Sequence, residues 1–284
     1  MPNNILVINS PLEMRAYSLK ARQEGKRIGL VPTMGALHAG HLSLMDYARP
    51  QCDLLAASIF VNPLQFDRED DLAGYPRTFE RDLELCEAHG VDLVFAPNPE
   101  NMYPEGFQTS VSVGEMTKGL CGAGRDGHFQ GVTTVVMKLF NTVLCDLAVF
   151  GEKDYQQLRV IQRMVRDLDM LVEVVGRPTV REEDGLALSS RNKHLSPEER
   201  DKALCLSRAL KKARSLADAG ETSRSRLVAE AEEIIRGTDG AKMEYVEIVD
   251  SQSLAPMQKI TKPARMCLAV WLGDTRLIDN APLN

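Results

Sequence analysis

Short apolar runs alternate with helical runs through the first 177 residues, and this alternation limits what the chain can fold into more than any other feature. Ile5–Ile8, Ile28–Val31, Asp53–Val61, Val91–Ala96, Asp146–Phe150 and Leu171–Val175 read as strands. Pro11–Glu24, Leu42–Ala48, Thr78–His89, Gln130–Val143 and Tyr155–Asp169 lie between them with helical spacing of their apolar residues. Gly25 and Gly90 sit where helix ends are expected. The order predicts an α/β fold, a Rossmann-like parallel sheet with helices on both faces. In such sheets ligands bind beyond the carboxyl ends of the strands. The pattern changes after Arg177-Pro178. Pro197–Asp218 and Ser223–Arg236 read as long, charge-rich helices, and Glu244–Val249 and Met266–Trp271 as strands. Residues 1–177 are therefore expected to form one domain and residues 178–284 a smaller α+β domain.

One stretch stands apart: Val31-Pro32-Thr33-Met34-Gly35-Ala36-Leu37-His38-Ala39-Gly40-His41. It joins a strand to a helix start. Gly35 and Gly40 permit a sharp turn or close approach to a ligand. His38 and His41 share one face if both lie in the first helical turn. The N–H groups of that turn attract anions, and the imidazoles add donors. The stretch is suited to a polyphosphate, although a glycine-rich turn with two surface histidines has the same pattern. It is not a Walker loop, since no Gly-Lys-Ser/Thr follows, and it lacks the three-glycine dinucleotide spacing.

Other polar stretches also punctuate the pattern. Asn62-Pro63-Leu64-Gln65-Phe66 follows the third strand, and Gln65 can both donate and accept. Arg125-Asp126-Gly127-His128-Phe129-Gln130-Gly131 reads as a site wall or as the cap of the next helix. Gly151-Glu152-Lys153-Asp154 opens a helix, with Gln156 and Gln157 one turn on. Lys153 suits phosphate, while Glu152 and Asp154 also read as simple complements to a helix dipole. Leu188-Ser189-Ser190-Arg191-Asn192 forms a polar loop whose hydroxyls and guanidinium suit phosphate oxygens. Each stretch has an ordinary reading as a turn or linker.

Composition narrows the class. The chain carries a net charge of −6, which argues against a nucleic-acid footprint. No apolar run approaches membrane-spanning length, and the N-terminal stretch lacks a signal-peptide pattern. The six cysteines are scattered without a Cys-x-x-Cys, and a cytoplasmic location is expected.

Taken in order, the strings HxGH, NPxQF, RxGHFxG, GEKDxQQ, LSSRN and GxTRLIDN resemble the pantothenate synthetase family, within the HxGH nucleotidyltransferase superfamily. The resemblance spans nearly the whole chain, with no departure at a motif position. It implies ATP-dependent condensation of pantoate with β-alanine through a pantoyl-adenylate, releasing AMP and pyrophosphate. It puts Met34 through His41 on ATP, with His41, His38 and Lys153 as the catalytic donors. It adds Gly151, Glu152, Lys153, Asp154, Val180, Leu188, Ser189, Ser190 and Arg191 to the nucleotide site. Gln65 and Gln157 fall to the substrates. The first domain then binds nucleotide and pantoate, and the second closes over the site. Mg²⁺ is expected to arrive with ATP, and no metal ligand is assigned. A homodimer is implied, with no nucleic-acid or membrane partner. Two rivals would be a nucleotidyltransferase that keeps AMP on its product and a nucleotide-binding module without turnover.

Overall fold

The computed structural model describes residues 5–261 and 263–283. Six strands build one parallel sheet: β1 (Leu6–Ile8), β2 (Ile28–Thr33), β3 (Leu54–Ile59), β4 (Leu93–Phe95), β5 (Leu147–Gly151) and β6 (Glu173–Arg177). Their order is β1-β4-β3-β2-β5-β6, and every neighbouring pair is parallel. The chain runs outward from β2 through β3 to β4, then returns to β2's other side as β5. The order thus reverses between β2 and β5. In open parallel sheets that reversal leaves a crevice beyond the strand ends. The histidine stretch leaves β2 there, and Gly151 ends β5.

The helices are α1 (Pro11–Gln23), α2 (Ala39–Ala48), α3 (Glu69–Ala73), α4 (Phe79–Ala88), α5 (Pro99–Met102), α6 (His128–Val143) and α7 (Tyr155–Asp167). Ser10 caps α1 by accepting from Glu13 N, and Pro11 fills the first helical position, where no N–H is needed. Val31, Leu55, Ala57, Val94, Leu147 and Val149 of the sheet pack with Leu44 and Met45 of α2 and Cys86 of α4. This apolar layer fixes the angle at which α2 leaves β2.

The chain divides into two compact units. The first holds the chain to Gly114, Arg125–Glu152 and Val160–Pro178. The second holds Glu115–Gly124, Lys153–Arg159 and the chain from Thr179 onward. Two short segments before residue 177 therefore join the second unit, for side-chain reasons within it. Gln156 accepts from Cys121 N at 2.9 Å and donates to the carbonyls of Met116 and Gly119. Tyr155 donates to Ser251 O at 2.7 Å, and Asn280 donates to Lys153 O at 2.9 Å.

The second unit contains α8 (Pro197–Lys202), α9 (Leu204–Asp218) and α10 (Arg224–Arg236) over a three-stranded antiparallel sheet. Its strands are β7 (Ala241–Asp250), β8 (Ala264–Leu272) and β9 (Thr275–Pro282). The single helix expected over 197–218 is two helices meeting at buried Ala203. A Ser196–Glu199 capping box starts the first of them. β9 was not legible as a strand, because Arg276, Asp279 and Asn280 interrupt its alternation.

Candidate functional site

The turn after β2 is held from inside. Gly35 and Ala36 take positive φ values of 81° and 51°. Thr33 Oγ1 accepts from Gly35 N at 3.1 Å. The carboxylate of Asp82, on α4 and 1% exposed, accepts from Ala36 N at 2.9 Å and Leu37 N at 2.8 Å. Thr78 also donates to it. The N–H groups of Ala36 and Leu37 thus bind the protein's own carboxylate. Gly35, Ala36 and Leu37 are correspondingly buried, whereas Met34, His38, Ala39, Gly40 and His41 keep accessible surface. Asp82 went unread because the backbone groups it accepts from lie about 45 residues away. Its only local signal is a carboxylate four residues before Cys86, on the buried face of α4. Asp82→Asn keeps the volume and gives up one acceptor. It is expected to lower unfolding stability by about 1–3 kcal/mol, the cost of stranding a buried donor. A urea titration checks this.

The two imidazoles cap α2 reciprocally. His38 is the N-cap residue, and its Nδ1 accepts from Gly40 N at 3.2 Å. His41 is three residues on, and its Nδ1 accepts from His38 N at 3.4 Å. The rings lie with centroids 4.2 Å apart at 35°. An Nδ1 that accepts carries no proton, so in each neutral ring Nε2 is the N–H donor. The shared-face expectation therefore holds, with added information about the tautomer. At the helix start Gly40 N is engaged by the His38 ring, while His41 N and Leu42 N donate to His38 O at 2.8 and 3.1 Å.

Gln65 stands in the turn after β3. Asn62, buried at its start, donates through Nδ2 to Gln65 Oε1 at 3.0 Å and to Gly131 O at 3.1 Å. Its Oδ1 accepts from Leu64 N at 3.3 Å and from Tyr103 Oη at 2.7 Å. Gln65 Nε2 is 3.0 Å from Met34 Sδ. The sequence left Asn62 as a turn residue, and the structure makes it the hub that orients Gln65. The Arg125–Gly131 stretch supplies Gly127 as the N-cap of α6 and also holds the Gln65 turn. His128 Nδ1 donates to Gln65 O at 2.7 Å, and Arg125 approaches the same carbonyl at 3.3 Å. Gly131 lets α6 lie directly on the turn, since a Cβ there would sit 2.2 Å from Leu64 O.

Arg125 is itself tethered by Asp67 Oδ1 at 2.8 Å. Burial would raise the Asp67 carboxyl, but the hydrogen bond and charge of Arg125 outweigh it and hold it below the usual carboxylate value. A depressed native pKa contributes stability that is present above the unfolded pKa of about 4 and is lost as pH falls through the native one. Asp67→Asn should therefore give a shallower loss of stability between pH 4 and the acid limit. Equilibrium unfolding at stepped pH measures that slope.

In the second unit, Val180 and Leu188 come together, Leu188 N donating to Val180 O at 3.0 Å. Ser189 caps the short helix Ser190–His194 and accepts from Arg191 N at 3.3 Å. Lys153 and Gln157 are half-buried, and the Lys153 carbonyl is held by Asn280. Asp279 carries Arg181 on both carboxylate oxygens at 2.7 and 2.9 Å. The GxTRLIDN string is thus internal bracing, and of the two glutamines Gln156 is used for structure.

A parallel sheet that hands a reciprocally capped histidine pair to a helix beside its strand-order reversal is an α/β protein with its candidate site at the carboxyl ends of the strands. The model of the pantoate-beta-alanine ligase family matches residues 6–282, and the chain belongs to that family. Pantothenate synthetase of Moorella thermoacetica is 54% identical over 270 residues, covering 95% of each chain. That of Geobacter sulfurreducens is 52% identical over 277 residues, covering 98% of each. A crystal structure of pantothenate synthetase from Thermus thermophilus superposes with a TM-score of 0.92 at 48% identity, covering 98% of this chain and 99% of that one. The pantoate-beta-alanine ligase of Francisella tularensis, complexed with beta-gamma ATP and beta-alanine, gives a TM-score of 0.81 at 32% identity, with 98% of each chain covered.

Proposed function

We propose that this chain condenses (R)-pantoate with β-alanine at the expense of ATP, in two steps on one site. The observation that carries this reading is the capped pair His38–His41 at the sheet's reversal point, within a family match that runs nearly end to end. A carboxylate is a poor acylating agent. Its oxygen attacks the α-phosphorus of ATP, the α–β bridging bond breaks, and pyrophosphate leaves with the negative charge. His41 Nε2–H and His38 Nε2–H are donors placed to stabilise that charge as it develops. The β-alanine amine then attacks the pantoyl carbonyl, the acyl–oxygen bond breaks, and AMP departs.

Among the phosphate ligands we place Met34, His38, Ala39, Gly40 and His41. Gly35, Ala36 and Leu37 contribute by shaping the turn beneath them. Gly151, Glu152, Lys153, Asp154, Val180, Leu188, Ser189, Ser190 and Arg191 complete the nucleotide contacts, with Lys153 and Arg191 supplying positive charge. Gln65 and Gln157 bind the acid substrate. No group of three or more His, Cys, Asp or Glu side chains among the described residues is arranged to hold a metal. Mg²⁺ is taken to arrive on the triphosphate of ATP, whose oxygens are its main ligands. All six cysteines are free thiols, which fits the cytoplasm. No described helix is long and apolar enough to cross a membrane. A homodimer is the assembly we assign, and sedimentation equilibrium tests it.

The step order has its own experiment. ATP labelled at the α,β-bridge oxygen is incubated with pantoate and no β-alanine. The label is expected to scramble only when pantoate is present, and hydroxylamine should trap a pantoyl hydroxamate. Neither signal, with normal turnover once β-alanine is added, would sink the two-step reading.

A further inference from the structure

The hydrogen bonds behind Gln65 run in one direction, and they start at a residue that no motif marks. Tyr103 follows α5 and packs between Phe60 and Phe107, with ring centroids 6.1 and 5.1 Å away. Its hydroxyl lies 2.7 Å from Asn62 Oδ1. Burial pushes the phenol well above its ordinary pKa, so it remains an O–H donor across the working range. Asn62 Oδ1 accepts from Tyr103 and Leu64 N, and its Nδ2 donates to Gly131 O and Gln65 Oε1. Leu64 N and Gly131 O are backbone groups of fixed polarity, so the sense of the Asn62 amide follows from them. On the acceptor side the Tyr103 bond is the shorter, at 2.7 Å against 3.3 Å for Leu64 N.

We infer that Tyr103 is a positioning residue for substrate selection: acting through Asn62, it locks the Gln65 amide with Oε1 inward and Nε2 outward, so that this position reads only a hydrogen-bond acceptor on the acid substrate. The inference rests on the assignment of Gln65 to that substrate. It also removes an ambiguity, since glutamine can in principle serve either donor or acceptor. Here Oε1 is already used by Asn62. The group Nε2 faces, Met34 Sδ at 3.0 Å, is a thioether and a weak acceptor. Exchanging it for a carboxylate or hydroxyl oxygen costs little and gains a stronger bond. A chemically matched ligand is therefore an acid whose oxygen accepts at this point, and one offering an N–H there is rejected.

The test uses the full-length enzyme and separate KM values for pantoate, ATP and β-alanine. Tyr103→Phe keeps the ring and deletes the donor. It is expected to raise the pantoate KM about threefold to tenfold, the worth of one hydrogen bond, with kcat and the other two KM values within twofold. In a Gln65→Ala background the same change should have no further effect on the pantoate KM, because the relay would have nothing left to orient. Gln65→Glu keeps an inward acceptor and turns an acceptor outward, so it should bind pantoate more weakly than Gln65→Ala. Equal shifts in all three KM values, or full additivity of Tyr103→Phe with Gln65→Ala, would mean that Tyr103 merely packs, and would overturn the proposal. Wild-type pantoate affinity in Gln65→Glu would overturn the donor-only assignment. An unchanged pantoate KM in Gln65→Ala would instead remove the assignment of Gln65 itself, and the proposal with it.

Discussion

His41→Ala is expected to slow pantoate-dependent adenylation by about 100-fold to 1,000-fold while leaving the pantoate KM within a factor of about three, as removal of one oriented donor to a developing charge does. The reason lies in the tautomer. His41 Nδ1 accepts from His38 N, which leaves Nε2 as the proton-bearing atom of the neutral ring. Alanine deletes that donor and also one bond of the reciprocal cap. The cap is a weak bond at 3.4 Å, so its loss is a minor stability effect. Gln157→Ala is the comparison. It should raise the pantoate KM and change kcat little. Label scrambling without β-alanine isolates the first step for both variants. The same kinetic phenotype in both would end the division of labour between imidazoles and amides.

Gly131→Ala is expected to damage both stability and catalysis, although it adds one methyl to a helix that should favour it. A Cβ at this position would meet Leu64 O at 2.2 Å, Leu64 C at 2.4 Å and Gln65 N at 2.7 Å. These are backbone atoms, which cannot rotate away. Either α6 or the Pro63–Gln65 turn must move. Overpacking of this kind costs about 1–3 kcal/mol. The displaced turn carries Gln65, and Asn62 loses its anchor on Gly131 O. A misplacement of about 1 Å in a substrate-positioning group costs about 100-fold in rate. Thermal melts and kcat/KM for pantoate give the two readouts. A variant with wild-type kcat/KM would show that the turn can shift without consequence.

The alternating period of the first 177 residues identified a parallel α/β sheet because strand and helix periodicities are local properties of the chain. His38 and His41 were legible for the same reason. Their spacing allows a shared face at a helix start, and the structure adds that His38 is the N-cap and His41 lies three residues on. The family resemblance rests on short strings whose residues are consecutive, which sequence displays directly.

Other features depended on residues distant in the chain. The bracing of the turn after β2 was hidden, because Asp82 accepts from Ala36 N and Leu37 N across about 45 residues. Gln65 read as both donor and acceptor until Asn62 Nδ2 was found on its Oε1. β9 was invisible because its buried Asp279 and Asn280 break an apolar alternation, and they are held there by residues distant in the chain, among them Arg181, Arg265 and the Lys153 carbonyl. The division near residue 177 could not reveal that Glu115–Gly124 and Lys153–Arg159 count with the second unit, because the Gln156 and Asn280 bonds that hold them span 35 to 127 residues. Periodicity and short motifs are written along the chain, and they determined the kind of fold. Which donors are engaged internally, and which remain to meet a substrate, was decided only by tertiary structure, because a hydrogen bond is a property of two groups and the second group was elsewhere.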